Sequence, residues 1–330
     1  MSNEVVPTSR WQSAQWIDHP SGFLAIAPGN EEFSLPSTSG FISYREKGGH
    51  LVIFGGVHAP ESDRRELLEG FIESATRRKR RVIALQVRAS QTKLFTELGF
   101  TVNRFGSTYA LRLRGFSMAG GKRMKLRQKV QRATRLGVRV LEVGVEIARD
   151  DATYTRLSDI STAWLTDKGK KELDFMIGQL GGPSDRERRI FIAVTESGTW
   201  SAFITYVPVR GERPGYLHDL TRRRSDAPPG TMELINATAI QRMSSEDAEF
   251  LHFGFTPFIF QDKEELPQAS RIAGWALAML GKHGRALYPA VDQIRYKLKW
   301  APEVAETEWI AFRPLSIRGV LDVLLLTRSI

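Results

Sequence analysis

The 330-residue sequence contains no cysteine. This absence excludes disulfide bonds, thiolate nucleophiles and cysteine-ligated metals, and it favours a cytoplasmic protein. No stretch approaches the roughly 18–20 consecutive apolar residues that a membrane-spanning helix needs. The first residues also lack a basic segment followed by an apolar one, so we expect no signal peptide. Any contact with a membrane is therefore expected to be peripheral.

Several signatures of catalytic and metal sites are missing as well. The six histidines show no His-Glu-x-x-His or other metal-binding spacing, and we predict no metal. The chain contains neither a Walker A sequence nor a Gly-x-Ser-x-Gly nucleophile elbow. Metallohydrolases, P-loop nucleotide hydrolases and serine hydrolases of these types are thereby disfavoured.

The composition is that of a globular protein with an excess of positive charge. The apolar fraction is 42%, the charged fraction is 25% and the formal net charge is +10. Such a charge indicates a nucleic acid, an anionic membrane surface or an anionic substrate as partner, without deciding among them.

Much of this charge lies in one stretch, Gly120–Gly137, which contains no acidic residue. Leu126, Val130 and Ala133 recur at i, i+4 and i+7 and predict a helix that docks through one narrow apolar stripe. An ordinary solvated helix is the alternative, but such helices usually mix acidic and basic residues. The cations of this predicted basic helix are Lys122, Arg123, Lys125, Arg127, Lys129, Arg132 and Arg135.

The pattern on either side of the basic helix is repeated. A predicted strand at 82–87 leads to a helix ending near Gly99 and then to another strand, and the same order follows the predicted strand at 251–255. Strands are also predicted at 22–27 and 175–180. We predict an α+β fold built from tandem, duplicated GNAT-like acyltransferase units, with boundaries at 1–118, 119–137 (the connecting helix) and 138–330.

The order meander, helix, strand, helix, strand is typical of GNAT acyltransferases, which hold the pyrophosphate of coenzyme A on backbone N–H groups at a helix N-terminus. The two corresponding loops here, 55–61 and 226–231, contain proline, which has no N–H to donate. Coenzyme A is thereby disfavoured, and a polyanionic acyl carrier would suit the basic helix.

Four groups of residues are distinctive in combination: Gly121–Arg127, Ser158–Leu165 with Lys171–Gly178, Asp219–Arg222 with Gly230–Glu233, and Leu251–Phe258 with Arg295–Trp300. Together they resemble the cytosolic catalytic domain of the aminoacyl-phosphatidylglycerol synthases, the lysyl- and alanyl-phosphatidylglycerol synthases. The resemblance extends over roughly residues 35–315. The resemblance implies two GNAT-like folds joined by a basic helix, with aminoacyl-tRNA as donor and a lipid hydroxyl as acceptor. Relatives without membrane helices act in antibiotic biosynthesis on small acceptors such as hydroxylamines.

The sequence departs from the lipid enzymes at a few points. Thr221 stands where methionine is usual, and Glu233 where aspartate is usual. Because no membrane helices accompany the domain here, we expect an aminoacyl-tRNA-dependent aminoacyltransferase that acts on the hydroxyl or hydroxylamine of a small molecule in natural-product biosynthesis. The alternatives are transfer to phosphatidylglycerol at the membrane surface, a coenzyme A-dependent GNAT N-acyltransferase, and a non-catalytic RNA-binding protein. No cofactor is expected beyond the aminoacyl-tRNA co-substrate.

The resemblance also implies site residues. Asp219 and Arg222, at a strand end, are predicted to bind the α-ammonium group, act as base or hold a phosphate, against the alternative of a structural salt bridge. Lys297 is predicted to stabilise an oxyanion or a phosphate, with Lys299 beside it. Three further residues are secondary substrate-binding candidates: Glu172, Glu233 and Trp164.

Trp164 occupies an apolar helical position, which favours a core role over stacking on substrate. The seven cations of the basic helix are predicted to contact phosphates of the tRNA acceptor stem. The basic runs 77–81 and 222–224 are candidates to extend this track.

Overall fold

The computed structural model describes residues 14–168, 183–260 and 290–327, with positions 178, 180, 181, 266, 269–271, 273, 274 and 277. Its strands form one 11-stranded sheet. Alternating apolar residues place side chains on both faces of each central strand, and helices cover those faces.

The first half of the chain contains five strands and two helices. In chain order they are β1 Glu31–Phe33, β2 Ile42–Lys47, β3 His50–Phe54, α1 Glu61–Arg77, β4 Arg81–Arg88, α2 Ala89–Glu97 and β5 Thr101–Arg112. The basic helix follows as α3 Met124–Arg135.

The second half repeats this order after an additional strand and helix, and it ends with a further helix. Its elements are β6 Arg139–Glu142, α4 Asp151–Lys168, β7 Arg189–Val194, β8 Trp200–Val209, β9 Gly215–Arg223, α5 Thr231–Ser245, β10 Phe250–Pro257, α6 Ala290–Leu298, β11 Val304–Arg313 and α7 Ile317–Leu326. The sequence-based order strand, helix, strand is thereby confirmed in both halves, as β4–α2–β5 and β10–α6–β11.

The two halves exchange their last strands. The sheet order is β1-β2-β3-β4-β11-β5-β10-β9-β8-β7-β6. Strand β11 therefore lies between β4 and β5, and β5 lies between β11 and β10, with antiparallel pairing at all these contacts. In each half one parallel pair, β3–β4 or β9–β10, is joined through a helix. This is a duplicated GNAT-like architecture, as the sequence predicted. The boundaries at 118 and 137 stay a prediction.

Both faces of the sheet are packed. Along β4, Val82 and Ala84 face a cluster that contains Phe71 of α1 and Phe95 of α2. The intervening Ile83 and Leu85 face a second cluster built from the lead-in segment before β1 and helix α7. In the second half Ile235 of α5 packs with aromatic residues of β8 and β10 and with the fully buried Trp300.

One predicted strand is wrong. The apolar stretch 22–27 contains the short 3-10 helix Gly22–Leu24, whose Phe23 and Leu24 are buried in the core. Its apolar residues satisfy the packing without a neighbouring strand, so pattern alone could not assign it. The strand predicted at 175–180 lies mostly outside the described residues.

Candidate active site

Strands β9 and β10 separate after a short parallel contact and leave a fork in the sheet. Their register covers only Phe250–His252 against Gly215–Leu217. Gly254, at a register shift of β10, has φ +70°, a conformation that glycine adopts without steric cost. Asp219 and Arg222 lie on the diverging part of β9. A fork of this kind is a place where a sheet can admit a ligand.

The Asp219 side chain is buried and ion-paired. Its Oδ2 accepts a short hydrogen bond from Arg188, and its Oδ1 accepts one from the backbone N–H of Gly178 at 3.0 Å. Arg188 also donates to Asp185 at 3.0 Å and to the hydroxyl of Thr205 at 3.0 Å. The two carboxylates outweigh the effect of burial and raise the pKa of Arg188, so the guanidinium stays charged.

Asp185 and Asp219 have closely similar surroundings. One carboxylate oxygen of each residue binds Arg188. The other oxygen accepts a hydrogen bond from a backbone N–H, that of Gly181 for Asp185 and that of Gly178 for Asp219. A Cβ on Gly178 would lie only 2.0 Å from Asp219 Oδ2, so this position requires glycine. The salt bridge considered from the sequence is therefore present, and its partner is Arg188, not Arg222.

Arg222 points toward a different neighbour. Its guanidinium carbon lies 4.4 Å from the ring centroid of Trp164 on α4, and its Nη1 donates to the Thr221 carbonyl at 3.1 Å. Arg222 is 5% exposed, whereas Trp164 is partly exposed. The helix thus brings Trp164 over Arg222, and two of the predicted site residues form a cation–π pair.

Lys297 reaches the other arm of the fork. Its ammonium donates to the carbonyls of Gly254 at 2.7 Å and Phe255 at 2.9 Å and to the hydroxyl of Thr256 at 2.7 Å. Burial lowers the pKa of Lys297 to about 7. The residue therefore fixes the distorted part of β10 and places a titratable cation there. Its catalytic role stays a prediction.

Glu233 connects the basic helix to the catalytic half. Its Oε1 accepts hydrogen bonds from Lys129 of α3 at 3.0 Å and from Lys299, just after α6, at 3.1 Å. Burial alone would raise the pKa of Glu233, but these two lysines lower it below the usual value. Three helical segments are thus held by one buried carboxylate. Glu172 lies outside the described residues.

The apolar stripe predicted for α3 is confirmed. Leu126 and Ala133 are buried and Val130 is half-buried. Three of the seven cations serve internal contacts: Lys129 is paired with Glu233, Arg123 donates to the Trp300 carbonyl and Arg127 to the Met118 carbonyl. Four others are exposed and, within the described part of the chain, enter no ion pair: Lys122, Lys125, Arg132 and Arg135. These four form the outward-facing cationic surface of α3.

Helix α3 covers the N-terminus of α5, where an ordinary GNAT would hold coenzyme A. Gly230 precedes α5 with φ 89°, and a Cβ there would lie 2.1 Å from the Lys129 carbonyl oxygen. The backbone of α3 therefore packs directly on the glycine that begins α5. Anion binding at a helix N-terminus needs accessible N–H groups, and the packing of α3 limits that access.

The equivalent loop of the first half is also closed. The backbone N–H of Gly55 donates to Leu85, that of Val57 to the Gln91 side chain and that of His58 to Phe41. Because these donors are already used within the protein, a pyrophosphate would have to displace native hydrogen bonds. Both loops that the sequence disfavoured for coenzyme A are thus occupied by the protein itself.

Sequence reasoning missed Arg188, Asp185 and the surroundings of His218. Arg188 lies in the run Arg186–Arg189, which resembles a solvated charge cluster, and only the fold shows its contact with Asp219.

His218 lies among Tyr206, Phe253 and Tyr296, at ring-centroid distances of 5.5–6.1 Å. Burial lowers the pKa of His218 to about 4, which makes it neutral at pH 7.

The described residues show neither a metal-binding cluster nor a membrane-spanning helix. They contain no group of three or more histidine, aspartate or glutamate side chains able to hold a metal ion. No helix among them is both long and apolar enough to span a bilayer. The predicted absence of metal and cofactor stays a prediction.

Comparison with known proteins gives consistent matches. Residues 11–312 match the family model described as phosphatidylglycerol lysyltransferase, C-terminal. The chain is 25% identical over 220 residues to the lysylphosphatidylglycerol biosynthesis bifunctional protein LysX of Rhodococcus jostii, covering 63% of this chain and 19% of that protein. It is 22% identical over 297 residues to the LysX of Rhodococcus opacus, and this match covers 86% of this chain and 26% of that protein. The chain thus spans about a fifth to a quarter of the length of these relatives.

Solved structures show the same fold. The L-PGS structure from Bacillus licheniformis superposes with a TM-score of 0.80 at 20% identity, covering 99% of this chain and 97% of that one. The C-terminal domain of a putative lysylphosphatidylglycerol synthetase from Agrobacterium fabrum gives 0.78 at 20% identity, covering 97% and 96%. Because the family model matches most of this chain, the chain belongs to the family of phosphatidylglycerol lysyltransferase C-terminal domains.

Proposed function

We propose that this protein is an aminoacyltransferase that moves an amino acid from charged tRNA to a hydroxyl group of phosphatidylglycerol. The observation that carries the choice of donor is the packing of α3 on Gly230. The same helix that covers the usual coenzyme A position presents Lys122, Lys125, Arg132 and Arg135 outward. A donor with an extended phosphodiester backbone fits this arrangement better than a coenzyme A thioester does.

The acceptor is assigned from the relatives. Their names specify lysylphosphatidylglycerol, so the lipid is favoured over the small-molecule acceptor of natural-product biosynthesis that the sequence suggested. Lysine is accordingly the first amino acid to test. Because the chain spans only part of these relatives, their complete activity comes to it as a proposal. We place the reaction at the cytoplasmic surface of the membrane, where charged tRNA is available.

The chemistry requires little beyond positioning. The acceptor oxygen attacks the carbonyl carbon of the aminoacyl ester, the bond to the ribose oxygen breaks, and the acceptor proton ends on that ribose oxygen. Holding two reactants in the right geometry can contribute roughly 7–11 kcal/mol to such a step. The residues of the fork are suited to this task.

In this proposal Asp219 anchors the α-ammonium group. Its oxygens each retain a lone pair after binding Arg188 and Gly178, and a carboxylate that already holds a guanidinium is better suited to accept an ammonium than to take a proton. Lys297 supplies positive charge for the developing oxyanion. Arg222, stacked on Trp164, orients the aminoacyl group or the terminal phosphate.

The test is a transfer assay with radiolabelled lysyl-tRNA, phosphatidylglycerol liposomes and, in a parallel reaction, soluble hydroxyl and hydroxylamine acceptors. We expect labelled lipid whose formation is abolished by RNase treatment of the donor. If label appears only in the soluble acceptors, the acceptor is a soluble small molecule and not the lipid. Activity that resists RNase, or that requires acetyl-coenzyme A, would refute the proposed donor.

A further inference from the structure

We propose that helix α7 docks the protein on an anionic lipid surface through its outward face. Three residues define that face, Arg318, Leu321 and Leu325, which are spaced i, i+3 and i+7 along the helix. Helix α7 packs on β2 and β3, in the first half of the sheet. This docking surface rests on the proposed function, because it names the face that meets the membrane containing the acceptor.

The charged and apolar residues of α7 are arranged opposite to those of an ordinary surface helix. Its one acid, Asp322, is buried, whereas Leu321 and Leu325 are 47% and 44% exposed. Leu324, next to them, is half-buried. A surface helix normally turns its apolar side to the core and its charges to water. The outward face of α7 is therefore an apolar strip in contact with solvent, which is typical of a binding surface.

Contacts on the inner side of α7 fix this orientation. Asp322 Oδ2 lies 2.6 Å from Nδ1 of His50 on β3 and accepts a hydrogen bond from the Gly49 backbone N–H at 3.2 Å. Val323 and Leu326 belong to the core cluster beneath the helix. Turning α7 about its axis to bury the outward leucines would break both contacts of the carboxylate and withdraw these two side chains from the core. The exposed leucines are therefore set in place by the fold.

Cations flank the apolar strip. Lys47 of β2 and Arg81 of β4 are both in register with His50, so their side chains lie on the same face of the sheet as α7. Arg81 and Arg318 are exposed and Lys47 is partly exposed. Within the described part of the chain, none of these three cations has an acidic partner. Glu46, next to Lys47 in the strand, points to the opposite face.

The combination of leucines and unpaired cations fits a lipid surface better than a nucleic acid. An amphipathic helix that lies in the plane of a bilayer inserts its apolar side chains at the headgroup boundary, while nearby lysine and arginine attract anionic headgroups. A nucleic acid would offer phosphates to the cations but would leave the leucines in water. Phosphatidylglycerol, the acceptor of the proposed reaction, is itself an anionic lipid.

Sedimentation with lipid vesicles, in the absence of tRNA, tests the docking surface. We expect the protein to bind vesicles made of phosphatidylcholine and phosphatidylglycerol in equal parts, and to bind pure phosphatidylcholine vesicles less tightly. The double variant Leu321→Gln/Leu325→Gln should weaken binding to the mixed vesicles at least tenfold, because both apolar contacts are lost. Arg318→Gln, Lys47→Gln and Arg81→Gln should each weaken it about fivefold.

Leu136 and Val145 provide a matched control next to β6, at the opposite end of the sheet. They are 48% and 69% exposed. The double variant Leu136→Gln/Val145→Gln removes two exposed apolar side chains without changing α7, so it should leave vesicle binding unchanged. Both double variants should unfold at the temperature of the unchanged protein, because all four side chains are at the surface.

Docking through α7 is refuted if the Leu321→Gln/Leu325→Gln variant binds mixed vesicles as tightly as the unchanged protein, or if the control variant loses binding equally. It is also refuted if the unchanged protein ignores vesicles but self-associates in analytical ultracentrifugation through the same leucines, because a second copy then covers α7.

Failure of the proposed reaction gives a different result. Vesicle binding that depends on α7, without labelled lipid in the transfer assay, would refute the reaction and support the docking surface. Labelled lipid without such dependence would refute the docking surface alone.

Discussion

Asparagine substitutions at Asp219 and Asp185 should separate catalysis from folding, because the two carboxylates are structurally matched. Both are buried, both bind Arg188, and each accepts one N–H from the 178–181 segment. Asparagine keeps the shape and can still accept one hydrogen bond, while Arg188 retains its other carboxylate. Loss of one hydrogen bond to a charged group costs about 1.5–3 kcal/mol. We expect both variants to lose free energy of unfolding in that range.

Activity should respond to only one of the two. If Asp219 anchors the α-ammonium group in a desolvated site, its neutralisation should cost roughly 2–5 kcal/mol of binding to the transition state. That corresponds to a loss in kcat/KM of about 30-fold to several thousand-fold. Asp185→Asn should lower kcat/KM by less than about fivefold.

The measurements are urea unfolding followed by fluorescence and initial rates of lysyl transfer from charged tRNA. Equal activity losses in the two variants would show that Asp219 acts only through the stability of the Arg188 cluster. A fully active Asp219→Asn variant would remove Asp219 from the catalytic site altogether.

Three further predictions concern the fork and the basic helix. Burial lowers the pKa of Lys297 to about 7, well below its value of about 10.5 in an unfolded chain. Between these pH values the unfolded state binds one proton more than the folded state, so the free energy of unfolding should rise with pH from about 7 to 10.5. Lys297→Met should flatten this rise in urea titrations at several pH values, and an unchanged slope would contradict the prediction. Gly230→Ala should lower the free energy of unfolding by roughly 2–5 kcal/mol, because both the φ of 89° and the nearby Lys129 carbonyl oppose a Cβ. It should also weaken tRNA binding although it removes no charge. Unchanged stability in thermal denaturation would show that α3 does not pack on Gly230 as described. The four exposed cations of α3 can be replaced with glutamine one at a time: Lys122, Lys125, Arg132 and Arg135. Each replacement that removes a contact with a duplex phosphate should reduce the steepness of log K against log salt by about 0.9 in filter-binding assays. The exposed control Lys93→Gln should leave the slope unchanged.

The local elements of this fold could be predicted from the sequence, because they depend on nearby residues. The stripe of Leu126 and Ala133 specified the docking face of α3. The repeat of strand, helix and strand revealed the duplication. Each of these signals lies within a few residues of the feature it predicts.

Features that depend on distant partners could not be predicted. Nothing around Arg188 distinguishes it from Arg186 until β7 and β9 are brought together. The 3-10 helix Gly22–Leu24 is apolar enough for a strand, and its true state depends on the core that it fills. The exchange of β5 and β11 leaves no local trace, because pairing partners are chosen by the whole sheet.

That exchange has a consequence for how the chain acquires its structure. Strand β11 pairs Val82 with Arg313, 231 residues later in the chain. During synthesis the first half therefore waits for almost the entire polypeptide before its sheet can close, and until then β4 and β5 present unpaired edges. A fragment cut at the predicted boundary after residue 118 would lack its central strand, and the complementary fragment would lack the neighbour of β10. The two acyltransferase-like halves are thus one cooperative folding unit, even though their repeated pattern indicates a duplication.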